Sequence, residues 1–147
     1  MKNTLKGFGA ALCVALPFLM QAPAQAADQA LVQRGAYLAK VGDCVACHTA
    51  PKGKPFAGGL PMTTPMGQIY TTNITPDPDT GIGKWSVEEI ADYLGSGNKP
   101  DGDVAGGLMA EVIDGTLAGY KDLTQADRVA IAQYLKTLPP IRNKIGK

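Results

Sequence analysis

Apolar side chains recur at helical spacing in separate stretches of this chain, and glycine, proline and short polar residues fill the gaps between them. Asp28 predicts a helix start, with a helix over Gln29–Val41 that carries Leu31, Gly35, Leu38 and Val41 near one face. Gly42 and Asp43 break it. The stretch from Thr49 to Gly67 reads as a long loop, Gln68–Thr75 as extended chain or a short strand, and Pro76-Asp77-Pro78-Asp79 as a turn. Ser86 and Glu89 form a capping box for a second helix, whose Val87, Ile90, Ala91 and Leu94 line one side until Gly95 and Gly97. A further helical piece is predicted over Leu108–Leu117. The last helix opens at Thr124, shows Ala130, Ile131, Tyr134, Leu135 and Leu138 on one face, and stops before Pro139-Pro140. The pattern is that of an all-α domain with about four helices and long loops.

The first residues have a different character. Lys2 and Lys6 precede an uncharged apolar run from Gly7 to Met20, followed by Ala24-Gln25-Ala26. This is the layout of a cleavable secretory signal, with cleavage expected after Ala26 and a single mature domain over residues 27–147. Cys13 lies within the apolar run and leaves with it. Export implies the periplasm of a Gram-negative bacterium. Of 14 basic and 13 acidic residues, only Lys2 and Lys6 fall in the signal, so the mature chain is nearly neutral. There is no basic stripe for nucleic acid and no second apolar run for a membrane span. With 18 glycines, 11 prolines and few aromatics, the chain buries little apolar surface unaided.

Cys44-Val45-Ala46-Cys47-His48 changes the picture most, because C-x-x-C-H is the attachment box of haem c. Two thiols on one helical turn can form thioether bonds to both vinyl groups, and the following histidine is then the proximal iron ligand. A zinc half-site is the first alternative, but zinc needs about four ligands, and the mature chain holds no other cysteine and no second histidine. A thiol-redox pair is the second, but it has no use for His48 and no βαβ pattern surrounds this one. The single box predicts one covalently bound haem.

Other segments carry a family resemblance. Gly35 and Tyr37 in the first helix, the haem box, and Tyr134-Leu135 near the end of the last helix resemble the class I c-type cytochromes. Arg34-Gly35-Ala36-Tyr37-Leu38, Phe56-Ala57-Gly58-Gly59-Leu60-Pro61-Met62 and Thr72-Asn73-Ile74-Thr75-Pro76-Asp77 are similar to the haem domains of cytochrome subunits in bacterial alcohol and gluconate dehydrogenases. Those subunits carry three haem domains, whereas this chain has one box. The resemblance implies a cytochrome c-like fold in which the first and last helices cross at a glycine–aromatic contact.

The sixth iron ligand must come from few residues. Met62 and Met66 follow His48 by 14 and 18 positions, in a loop that wraps the proximal side in the family; Met109 follows by 61, where class I cytochromes place the distal ligand. Met109 is therefore the expected ligand, with Gly106 and Gly107 allowing close backbone approach; the alternative is that it is ordinary core beside Leu108, Val112 and Ile113. The resemblance also implies that the carbonyl of Pro61, or of Leu60, accepts from the His48 ring. Tyr70, Asn73 and Trp85 are candidate donors to haem propionates, or, for Tyr70 and Trp85, packing aromatics. Lys52 and Lys54 either orient a partner at the haem edge or are solvated surface lysines.

A six-coordinate haem favours a one-electron carrier or small cytochrome subunit. It would take electrons from a periplasmic dehydrogenase and pass them towards the respiratory chain through an oxidase or another cytochrome. A haem enzyme (a peroxidase or thiosulfate-type oxidoreductase) would need an open iron position and acid–base residues, and the chain has no spare histidine. A ligand-sensing haem domain would need a displaceable distal ligand.

Overall fold

A computed structural model describes residues 22–65 and 67–146; residues 1–21 of the expected signal (1–26) and the thioether of Met66 lie outside the described residues. The elements in order are α1 (Ala22–Val41), α2 (Cys44–Cys47), β1 (Pro61–Thr64), β2 (Gly67–Tyr70), α3 (Val87–Ser96), α4 (Gly107–Asp114), a 3-10 turn (Tyr120–Asp122) and α5 (Gln125–Thr137). The described chain is helical and loop-rich apart from one antiparallel hairpin.

Local chemistry explains most boundaries. The hydroxyl of Ser86 accepts from Glu89 N–H at 3.1 Å, and the Glu89 carboxylate accepts from Ser86 N–H at 2.7 Å, completing the capping box of α3. Thr124 caps α5 through Asp127 N–H at 3.1 Å. Leu138 at the end of α5 is extended, as a residue before proline should be. Two limits differ from the sequence reading. The first helix begins at Ala22 rather than after Asp28, because alanine-rich chain continues the helix and Pro23 sits in the first turn, where its missing N–H costs nothing. α4 ends at Asp114, three residues early, because Gly115 takes a left-handed cap (φ 105°).

α1 and α5 cross, and α3 packs on α5. Gly35 sits at the crossing: a Cβ there would lie 1.9 Å from the Ala130 carbonyl oxygen and 2.8 Å from Tyr134 Cβ. Ile90, Leu94, Ile113, Ile131 and Leu135 form the core beneath. Val41, expected on the buried face of the first helix, is 66% exposed, and Ala39 is buried instead. The helix ends at Val41, so that position lies beyond the contact with α5.

An ion pair fastens the crossing from outside. Both Nε and an Nη of Arg34 reach Asp127 Oδ1, at 2.6 and 2.5 Å, and this holds the carboxyl below its usual range. A carboxylate with a lowered folded-state pKa stabilises above its unfolded value of about 4 and loses that contribution as pH falls through the folded value. Thermal melts of wild type and Arg34→Gln should therefore differ at pH 7 and converge as the pH falls below about 4.

β1 and β2 pair with Met62 opposite Ile69. Both of those side chains are half-buried while their strand neighbours Thr63 and Gln68 are exposed, the alternation of a ribbon with one covered face. The sequence reading placed β1 inside a loop. Two four-residue strands with prolines at Pro61 and Pro65 carry too short an alternation to be seen without their partner.

Candidate haem site

The haem box folds as the single turn α2. Asp43 turns the chain through the left-handed region (φ 56°), so that α2 starts just after α1 ends. Tyr120, 8% exposed, donates its hydroxyl hydrogen to the Gly42 carbonyl and lies 3.9 Å from Cys44 Sγ. Cys44 and Cys47 are not joined in a disulfide. Burial raises the Cys44 thiol pKa against a smaller opposing effect of the Tyr120 hydroxyl, which keeps it a thiol at neutral pH.

His48 closes the box. Its N–H donates to Cys44 O at 2.9 Å, and its Nδ1 pairs with the Thr72 carbonyl at 2.8 Å. That carbonyl can only accept, so Nδ1 carries the hydrogen and Nε2 keeps its lone pair. Burial lowers the His48 pKa and the Thr72 bond only partly offsets it, so the ring is neutral, the form that binds a metal. The acceptor corrects the expectation for Pro61 and Leu60. Leu60 O is taken by Thr71 N–H at 3.0 Å and Pro61 lies in the hairpin register opposite Tyr70, so the next free carbonyl, that of Thr72, meets the ring.

Cys44, Cys47 and His48 line a cavity of about 660 Å³, and Met109 and Met62 line it too. Its volume lies within the roughly 300–1,000 Å³ of small-molecule and cofactor sites. The other walls are largely apolar, with Ile69, Ile82, Ile90, Leu94 and Val112 among them. Met109 reaches the cavity because α4 buries Ile113 in the core, which turns the preceding helical turn towards the opening. Tyr70 and Trp85 also line the cavity; Tyr70 is 43% exposed, and Trp85 packs edge-on to Tyr93 with ring centres 5.4 Å apart.

Asn73 also borders the cavity, but its expected role as a propionate donor is corrected. Its Nδ2 donates to Thr80 Oγ1 at 3.0 Å and to Ile141 O at 2.7 Å, which uses both hydrogens. Its Oδ1 accepts from Thr75 N–H and Thr75 Oγ1, so the amide holds the fold rather than a ligand. Lys52 and Lys54 are exposed on the loop after the box.

The sequence reading missed Thr72, Tyr93, Tyr120 and Lys99, all of which line the cavity. Tyr93 follows Ile90 by three positions and precedes Leu94, so the helical period could have found it. Lys99 and Tyr120 lie between the predicted helices, and Thr72 lies in the stretch that reads only as extended chain or a short strand.

The donor set fits haem c. Two thiols on one turn flank a neutral imidazole with its Nε2 free, and thioethers line the same apolar cavity. Cys44 and Cys47 would hold the macrocycle, His48 would bind the iron, and Met109 or Met62 would complete its coordination.

Residues 32–139 match the cytochrome c family, and the chain belongs to it. The fold is that of a cytochrome c domain. The cytochrome c subunit of a quinone-type alcohol dehydrogenase from Gluconobacter oxydans (strain 621H) is 53% identical over 81 residues, which is 55% of this chain and 17% of that protein. The cytochrome c subunit of gluconate 2-dehydrogenase from Pantoea cypripedii is 57% identical over 77 residues, covering 52% of this chain and 18% of its own length. A diheme cytochrome c-type protein from Cereibacter sphaeroides is 41% identical over 117 residues, 74% of this chain and 36% of that protein. The chain thus spans less than a fifth of the two dehydrogenase subunits.

Proposed function

We propose that this chain is a periplasmic one-electron carrier, or a small cytochrome subunit, that carries one haem c bound covalently through Cys44 and Cys47. His48 and Met109 would ligate its iron. The observation that supports this reading is the meeting of both thiols, the free face of a neutral His48 and Met109 in one apolar cavity. The bound haem would supply reversible one-electron chemistry at its iron.

The chain's own residues do the rest. The Thr72 carbonyl fixes the tautomer and orientation of the His48 ring. Ile69, Ile82, Leu94 and Val112 keep water from the cavity, and a drier site favours a higher potential. A methionine and a histidine ligand together would hold the potential in a carrier's range and would occupy both positions at the iron. The reduced protein should therefore bind carbon monoxide slowly or not at all. Rapid binding would favour a haem enzyme or sensor instead.

The electron donor in this reading is a periplasmic dehydrogenase, in keeping with the relatives named as cytochrome c subunits of alcohol and gluconate dehydrogenases. The acceptor is an oxidase or another cytochrome. The near-neutral mature chain offers little long-range attraction, so the exposed Lys52 and Lys54 steer locally. Lys52→Glu with Lys54→Glu should slow association with the dehydrogenase by roughly tenfold at low salt and leave the reduction potential unchanged. Stopped-flow reduction across a salt series checks this. Unchanged kinetics would make both lysines plain solvated surface.

A further inference from the structure

The segment that follows α5 has no helix or strand, yet Ile141 and Asn143 tie it by hydrogen bonds to two other loops. Ile141 O accepts from Asn73 Nδ2 at 2.7 Å, and Ile141 N–H donates to Thr75 Oγ1 at 3.1 Å. Asn143 N–H donates to Thr80 Oγ1 at 3.0 Å, and Asn143 Nδ2 donates to Ala57 O at 2.8 Å. Ile145 Cδ1 lies 3.5 Å from where a Cβ on Gly59 would stand.

The two loops clasped in this way are the two that hold His48. Gly58 N–H donates to the His48 backbone carbonyl at 2.8 Å, and Thr72 O accepts from the His48 ring at 2.8 Å. They are also in direct contact with each other. A Cβ on Gly58, which sits at φ +72°, would lie 2.5 Å from Thr72 O, so the backbone of one loop rests on the carbonyl that the imidazole uses. Ile74 N–H to Phe56 O at 2.9 Å and Gly59 N–H to Thr71 O at 2.8 Å complete the layer. The order in space is ring, Thr72 carbonyl, Gly58 backbone, Ala57 carbonyl, Asn143 amide. Asn73, next to Thr72, is tied to Ile141.

We propose that Ile141–Ile145 is a strap that positions the His48 imidazole by clamping the Ala57–Gly59 and Thr72–Thr80 loops together, with Asn143 and Asn73 as its positioning residues. This rests on the reading of His48 as the iron ligand. A firmly placed carbonyl on Nδ1–H raises the basicity of the ligating nitrogen, which favours oxidised iron. Loosening the strap therefore raises the reduction potential and lets the ring turn. The helical core rests on other contacts, those of α1 with α5 and of α3 with α5, so helix content should be retained.

The test uses the full-length holoprotein, a version stopped after Pro140, and Asn143→Leu, which is close in size, adds no charge and removes the amide donor. Three measurements are made on each: far-ultraviolet circular dichroism, a spectroelectrochemical titration, and the hyperfine-shifted haem methyl resonances of the oxidised protein, which report the orientation of the imidazole plane. The expected result is unchanged helix content, retained haem, a several-fold shift of the one-electron equilibrium towards the reduced form, and a changed methyl pattern in both variants. Wild-type potential and methyl pattern in both would overturn the proposal. If the shortened chain loses its helical signal, Asn143→Leu decides by the same readouts. A wild-type protein without covalent haem would instead overturn the haem reading, and this proposal with it.

Discussion

Met109→Ala should erase the weak far-red charge-transfer band of iron–thioether bonding in the oxidised protein. The same change should let reduced protein bind carbon monoxide rapidly. The potential should fall by an appreciable part of the roughly 0.8 V range that axial ligands span, because a soft sulfur that favours reduced iron is lost. Met109 is half-buried on α4, whose anchor is Ile113 at 4% exposure, so truncation at 109 should leave the helix in place. Met62 lines the same cavity from β1 and provides the control. Met62→Ala should keep the band and the potential. Loss of the band in Met62→Ala and its retention in Met109→Ala would transfer the ligand role to Met62.

Gly35→Ala should be severely destabilising, with the tightest clash a methyl would meet at any described glycine. The added carbon would be 1.9 Å from the Ala130 carbonyl oxygen, a backbone atom inside α5 that no rotamer change can move. Ala130 itself has no exposure, so α1 can relieve the clash only by lifting away from α5. That separation would also strain the Arg34–Asp127 pair and uncover the buried Ala39. Overpacking at such a contact costs about 3 kcal/mol or more, enough to remove much of a small domain's stability. Denaturant titration of the holoprotein should show a midpoint far below wild type, with reduced holoprotein yield. A midpoint within error of wild type would mean that the helices do not cross at Gly35.

Residues whose chemistry acts within a turn or two were legible before any coordinates. Ser86 with Glu89, Thr124 with Asp127, the stop at Pro139 and the C-x-x-C-H box need only their near neighbours. Periodicity also gave the buried faces of α3 and α5, where Ile90, Leu94, Ile131 and Leu135 are indeed core. Interactions that depend on register between distant segments were not legible. The acceptor for His48 is 24 positions away and is set by the hairpin between them, so resemblance pointed at Pro61 while the chain presents Thr72. Asn73 looks like a free donor in sequence; its partner Ile141 is 68 positions on. Tyr120 bonds Gly42 across 78 positions, from a turn that shows no period at all. Val41 sits on the right stripe of its helix but beyond the point where α5 still covers it.

A covalent haem at Cys44 and Cys47 is the foundation of everything proposed for this chain. The most direct measurement is extraction of the purified protein with acidified acetone, followed by intact mass and a pyridine haemochrome spectrum of the pellet. The pigment should stay with the polypeptide, the mass should exceed the apo chain by one haem, and Cys44→Ala or Cys47→Ala should sharply lower the yield of such holoprotein. Haem that passes intact into the acetone, leaving a colourless chain of apo mass, would contradict covalent attachment.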